Sequence, residues 1–191
     1  MIFNLSSFIP LISFVLYILF AVFGIYQKKV GKIHWPFIFY MFLMAMWSFG
    51  SFMMHANTGI LSPLFWNRFM VVGMLGGPIV IFHSLLDLFE ERRSSYNLVL
   101  YMGYVIYGFL LYLNFRGHIV AEAYFIGNEF YYSLAKGSSI AYVLSYLFLL
   151  FGIFVLLREL YLAKNEALKK KFRLPIIGAA IMLGGVLVNL Y

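Results

Sequence analysis

Long apolar runs dominate this chain and leave few folds open to it. Six can be marked, at Phe8–Tyr26, Ile33–Ala56, Phe69–Phe89, Tyr96–Phe115, Ile140–Leu157 and Leu174–Tyr191, and the only Asp, Glu, Lys or Arg inside any of them is Asp87. At a rise of about 1.5 Å per residue, roughly 18–24 helical residues cross a hydrocarbon core of about 30 Å. The runs are apolar on every face and do not alternate by twos, which argues for helices and against membrane strands. With 64% hydrophobic and only 11% charged residues, the chain cannot coat a soluble globule with polar surface, so its solvent is mostly lipid. The expectation is an all-α, polytopic membrane bundle of six transmembrane helices, a single domain over residues 1–191 with no soluble output domain.

Lysine and arginine set the expected orientation. Lys28, Lys29 and Lys32 follow the first run, Arg92 and Arg93 follow the third, and Arg158, Lys164, Lys169, Lys170, Lys171 and Arg173 lie around the link from the fifth to the sixth. Arg68, Arg116 and Lys136 fall on the other side. The positive-inside bias puts the N-terminus of a multi-pass cell-membrane protein outside and its three basic loops in the cytoplasm. The opening MIFNLSS has no basic residue and no small-residue cleavage site, so the first run reads as a retained helix. The net charge of +7 is accounted for by topology signals and anionic-lipid contacts, and no nucleic-acid partner is expected. The absence of cysteine excludes disulfides, Cys-ligated zinc and thiol catalysis.

The one long outer loop, RGHIVAEAYFIGNEFYYSLAKGSS, carries Tyr124, Phe125, Phe130, Tyr131 and Tyr132 and reads as a lid lying in the interface. Near the mouth it would cover, HANTGILSPLFWNRF places His55, Trp66, Asn67 and Arg68. By position Trp66 and Arg68 are interfacial anchors; Arg68, with Arg116, is also able to pair with an anionic ligand. In the second run Trp47, Gly50, Ser51 and Met54 recur at helical spacing, as a packing seam or as a pocket wall at Trp47. Trp47, His55, Trp66 and Arg68 are therefore the candidate lining for a small apolar or amphipathic ligand.

Ionisable groups are costly inside a membrane and often functional. His83 and Asp87 are four apart and share a helix face, which suits a proton relay or half of a metal site. The structural alternative has Asp87 facing interfacial water beside Arg92 and His83 packed in the bundle. No third ligand lies nearby in sequence, so neither a metal nor another cofactor is expected. Upstream, Gly76, Gly77 and Pro78 fall mid-membrane, where a missing backbone donor and two small residues predict a kink, either a hinge or a fixed bend. HExxH, GxSxG and GxxxxGK[ST] are absent, and no enzyme activity is expected of this chain.

A faint internal pattern supports a rival reading. VLYILFAVFG at Val15–Gly24 is echoed by VLYMGYVIYG at Val99–Gly108, FGSF at Phe49 by FGIF at Phe151, and MLGGPIV at Met74 by MLGGVLV at Met182. Pairing runs one to three with four to six makes the halves inverted, as in many transporters, so a small transporter or half-transporter is the alternative function.

The segments MWSFGSFMMHANTG, LFWNRFMVVGMLGGPIVIFHSLLDL and KKKFRLPIIGAAIMLGGVLVNLY resemble the N-terminal seven-transmembrane region of bacterial sensor histidine kinases, a region also found ahead of diguanylate cyclases. The resemblance covers nearly the whole chain and rests on Trp47, Trp66, Arg68, Gly76, Gly77, Pro78, Gly184, Gly185 and Asn189; family members often carry a Gln after the last basic cluster, where this chain has Phe172-Arg173-Leu174. It implies a sensory input domain that passes a helix-packing change to a cytoplasmic module in cis, with a possible homodimer and no ligand specified. Six helices starting outside end outside, so a seventh helix and a cytoplasmic module are expected to follow Tyr191.

Overall fold

A computed structural model describes residues 5–29, 35–56, 59–87, 94–127 and 129–163, together with 169, 173 and 175. Five long helices appear among them: α1 (Leu5–Lys29), α2 (Trp35–Ala56), α3 (Pro63–Leu86), α4 (Ser94–Phe115) and α5 (Ser138–Leu162). All five are long and apolar enough to cross a membrane. The sixth expected run, Leu174–Tyr191, lies outside the described residues apart from Pro175, as do Gly184, Gly185 and Asn189.

The start of α3 is written in its sequence. Ser62 adopts an extended conformation and its hydroxyl accepts the Phe65 amide at 3.2 Å, while Pro63 follows at a position whose amide needs no helical partner. The helix thus begins six residues before the run that starts at Phe69, and Trp66, Asn67 and Arg68 belong to its first turns. It ends at the Asp87 cap, whose amide returns to the His83 and Leu85 carbonyls.

α3 is the hub. It packs on α2, α4, α5 and the first strand, whereas α1 lies along α2. Most of α3 is buried and most of α1 faces outward. One cluster joins Val71, Leu75 and Ile79 of α3 to Tyr107 and Leu110 of α4 and Ala141 of α5; a second joins Ala21, Leu43, Met44, Val72 and Val80 across α1, α2 and α3. Lipid chains are as apolar as leucine, so burial from water does not drive such contacts; close packing does. A Cβ on Gly73 would overlap the Leu43 carbonyl oxygen of α2, and one on Gly50 would lie 2.9 Å from Met70 Cβ. These glycines set how near α2 and α3 approach.

Between α4 and α5 the chain forms an antiparallel hairpin, β1 (Val120–Ile126) and β2 (Glu129–Leu134), with a bulge between Val120 and Glu122. This is the one departure from the all-α expectation, and it occupies the loop read as a lid. Directly after β1, Gly127 takes φ 62°, the left-handed geometry that hairpin turns favour. Tyr124 stacks on its partner Tyr131 at 6.2 Å and Phe125 meets Phe130 edge-on at 5.6 Å. Glu122, Tyr124, Ile126, Glu129, Tyr131 and Ser133 form a fully exposed face, while Ala123, Phe125 and Phe130 are half-buried on the other. Tyr131 donates to Glu129 at 2.6 Å, and that bond to a carboxylate raises the phenol above its ordinary range.

Gly73→Ala should lower stability by about 1–3 kcal/mol by driving a methyl into backbone, while Gly108→Ala, whose Cβ meets nothing within 4 Å, should be neutral or slightly stabilising. Thermal melts of the two variants in one detergent check the contrast; equal melting points would remove the close-approach account.

Candidate functional site

The four residues expected to line a ligand site lie on α2 and α3, but their side chains meet different neighbours. Trp66 is the middle of an aromatic cluster, with Phe65 at 5.2 Å, Phe49 at 5.6 Å and Phe69 at 5.8 Å. Phe14 extends that cluster to α1 through Phe49 at 5.0 Å. The aromatic group therefore ties three helices together near the hairpin end of the bundle. Trp47 is half-buried deeper along α2, with its Cβ 3.0 Å from the position a Gly73 Cβ would take. His55 is exposed in the last turn of α2.

Arg68 faces away from Trp66, toward α4 and the hairpin. Its guanidinium donates to the Phe115 carbonyl at 3.2 Å and to the Val120 carbonyl at 3.4 Å. Phe115 is the last residue of α4, so one acceptor is a helix-terminal carbonyl left without an amide partner. The other acceptor opens β1. In return, Asn114 Nδ2 donates to the Arg68 carbonyl at 2.8 Å. α4 stops in a paired reverse-turn cap, with His118 N–H on the Leu113 carbonyl and Gly117 N–H on the Asn114 carbonyl. Gly117 takes φ 84°, and a Cβ there would lie 2.9 Å from Arg68 Nη2, so glycine serves both the turn and the approach of the arginine. Among the described residues no carboxylate pairs with Arg68.

Mid-bundle, α3 runs as one helix through Gly76, Gly77 and Pro78. Neighbouring hydroxyls reach its backbone there: Tyr107 of α4 donates to the Val72 carbonyl at 3.0 Å, and Ser145 of α5 donates to the Leu75 carbonyl. These two carbonyls flank that of Met74, which the missing Pro78 amide leaves without its helical donor. Gly76 makes room for Tyr107, whose ring carbon Cζ would lie 2.6 Å from an added Cβ.

Toward the far end, His83 Nδ1 and the Tyr104 hydroxyl share a hydrogen bond of 2.8 Å. The Asp87 backbone amide donates to the His83 carbonyl at 3.2 Å. Further on, Arg158 of α5 donates to the Tyr96 hydroxyl at 2.9 Å and pairs with Glu159 at 3.2 Å. Sequence reasoning did not single out Asn114, Tyr104, Tyr107, Ser145 or Tyr96. A lone polar side chain inside an apolar run, as at Ser145, was the available signal.

Replacing Arg68 by lysine keeps the charge but removes the fork that spans two carbonyls. Loss of one charged hydrogen bond, about 1.5–3 kcal/mol, should speed exchange of hairpin amides roughly tenfold or more while α2 amides are unchanged. Hydrogen exchange followed by mass spectrometry reads this directly, and unchanged hairpin protection would contradict the strap.

The model of the N-terminal 7TM region of histidine kinase matches residues 9–191. No curated protein and no solved structure gives a significant match. A multi-pass bundle of long apolar helices, with Trp66, Arg68 and the Gly76-Gly77-Pro78 segment all on its central helix, accords with that match. The chain is a multi-pass membrane protein and belongs to the family of histidine kinase N-terminal 7TM regions.

Proposed function

We infer that the chain is a ligand-responsive input region that receives its signal at the hairpin end and hands a change in helix packing to a cytoplasmic kinase module in cis. The observation that carries this reading is the line of polar contacts along α4. Asn114 holds Arg68 at one end, Tyr107 holds Val72 and Tyr104 holds His83 in the middle, and Tyr96 holds Arg158 at the other end. Hydrogen bonds to particular carbonyls favour discrete arrangements over continuous sliding, which suits a two-state element. A displacement of the hairpin base bears first on Arg68, then on α4, and reaches the Tyr96–Arg158 contact.

In this reading a small apolar or amphipathic ligand is met by Arg68 on the hairpin side of α3, Trp47, His55 and Trp66 belong to the packing it biases, and Gly76, Gly77 and Pro78 allow the central helix to adjust. A diguanylate cyclase output and a homodimer are compatible with the same scheme. The transporter alternative draws no support from the packing, because α1 lies along α2 whereas its counterpart α4 touches α5 only lightly.

Two measurements test the proposal. Tyr107→Phe removes one hydroxyl without changing the ring, so autophosphorylation of a kinase module attached to the chain should shift its set-point severalfold at unchanged expression; an identical dose response would sink the α4 route. Orientation is tested by single cysteines in this cysteine-free chain. With the N-terminus outside, Ser133→Cys in the hairpin should react with an impermeant maleimide on intact cells and Ser95→Cys only after lysis; the reverse pattern would invert the topology.

A further inference from the structure

The polar side chains in the middle of the bundle find partners on α3, but those at the base of the hairpin are matched only in part. Asn67 is 1% exposed and neither its Oδ1 nor its Nδ2 has a partner. Asn114 is 0% exposed and its Oδ1 is unpaired, as is the buried Nε of Arg68. Trp66 Nε1 is also unpaired, but it belongs to the aromatic cluster on the other side of α3.

Three of these side chains converge on one place. Arg68 is tied to Val120 by its guanidinium and to Asn114 through its carbonyl. Asn67 precedes Val71 by four residues and so shares its helix face, and Val71 packs in one cluster with Ile119 and Val120 at the hairpin base. Asn67, Arg68 and Asn114 therefore all border the hairpin base, Arg68 by contact and Asn67 by its shared face with Val71. Two unmatched acceptors, Asn67 Oδ1 and Asn114 Oδ1, and two unmatched donors, Asn67 Nδ2 and Arg68 Nε, thus belong to three residues around the hairpin base, and the arginine has no carboxylate among the described residues. A buried amide without partners is expensive, and native proteins generally fill such places with water or a bound group.

We propose that Asn67, Arg68 and Asn114 form a head-group site beneath the hairpin base for a small carboxylate that carries a hydroxyl or ammonium on the adjacent carbon. The carboxylate accepts from Arg68 Nε and Asn67 Nδ2 and offsets the arginine charge. An adjacent ammonium donates to both Asn67 Oδ1 and Asn114 Oδ1, and an adjacent hydroxyl, with its single proton, donates to one of them. Neither a plain carboxylate nor an alcohol matches all four atoms. The site deepens the ligand-responsive reading, on which it rests, by naming the ligand's polar end.

Calorimetry with the chain in lipid nanodiscs, with empty nanodiscs subtracted, tests it using 2-hydroxyhexanoate, hexanoate and 1-hexanol as probes. The hydroxy acid should bind saturably, and hexanoate about tenfold more weakly for want of the donor. Hexanol should only partition into lipid. Asn67→Leu, which keeps the branching and the number of heavy atoms, should weaken 2-hydroxyhexanoate by about tenfold or more without lowering the melting temperature, since it removes unpaired polar atoms. Equal partitioning of all three probes into the unmodified chain overturns the site, as does a hydroxy acid that binds Asn67→Leu unchanged. Water alone at this place would give both of those results. Because binding is read without any output, failure here leaves the signalling route along α4 to its own test.

Discussion

Inside a bilayer no water is present to take up a backbone group that a helix leaves unpaired, and α3 carries a proline at its middle. Pro78 has no amide to give to the Met74 carbonyl, four residues back. Neighbouring helices place their polar groups on the carbonyls flanking that gap. Tyr107 and Ser145 present hydroxyls to the Val72 and Leu75 carbonyls from two different helices, and Gly73, Gly76 and Gly77 remove the side chains that would hold those helices away. Interhelical hydrogen bonds in membranes are modest, of order 0.6–2 kcal/mol each. Their effect here is positional, because each fixes one neighbour at one height along α3.

The same logic explains why Arg68 is held by carbonyls instead of a carboxylate. A guanidinium that donates to Phe115 and Val120 satisfies two backbone acceptors at a helix end and a strand start while keeping its charge. An Arg–carboxylate pair in that place would be electrically closed. An arginine solvated by dipoles still attracts an anion, at a point where the hairpin, α3 and α4 meet. Structure and electrostatics therefore coincide at one residue: the group that secures the hairpin is also the group an anionic ligand would disturb.

Much of the scaffold was legible from composition and run length, because the bilayer imposes a single length scale on every crossing. All five described helices coincide with apolar runs marked in the sequence, and the Ser62-Pro63 pair gives the true start of α3, which run-marking delayed to Phe69 because Asn67 and Arg68 looked like loop anchors. The hairpin was harder to see. Aromatic residues stand on both faces of β1 and β2, which blurs the period of two, and only Gly127-Asn128 marked a turn. The site was the least legible part. The acceptors of Arg68 are 47 and 52 residues away, and a partner of His83, Tyr104, stands on another helix, 21 residues on. Helical periodicity tells which residues share a face; it does not tell what the face meets.

Lipid also changes which anomalies carry information. In a soluble domain, exposure of Ile9 at 67%, Tyr101 at 68% and Val105 at 73% would mark an interface or a defect. Across membrane helices such surface is simply solvated by acyl chains and points to nothing. Buried polar atoms without partners become the informative departure, since neither lipid nor core side chains can answer them. Among the described residues those atoms belong to Trp66, Asn67, Arg68 and Asn114, within one turn of α3 and the end of α4 beside it. Farther along, at Tyr107, Ser145, Tyr104 and Tyr96, polar groups are matched within the chain. The bundle is thus chemically closed through its middle and open under the hairpin, and an arrangement closed at one place and open at another has a direction in which a signal can enter.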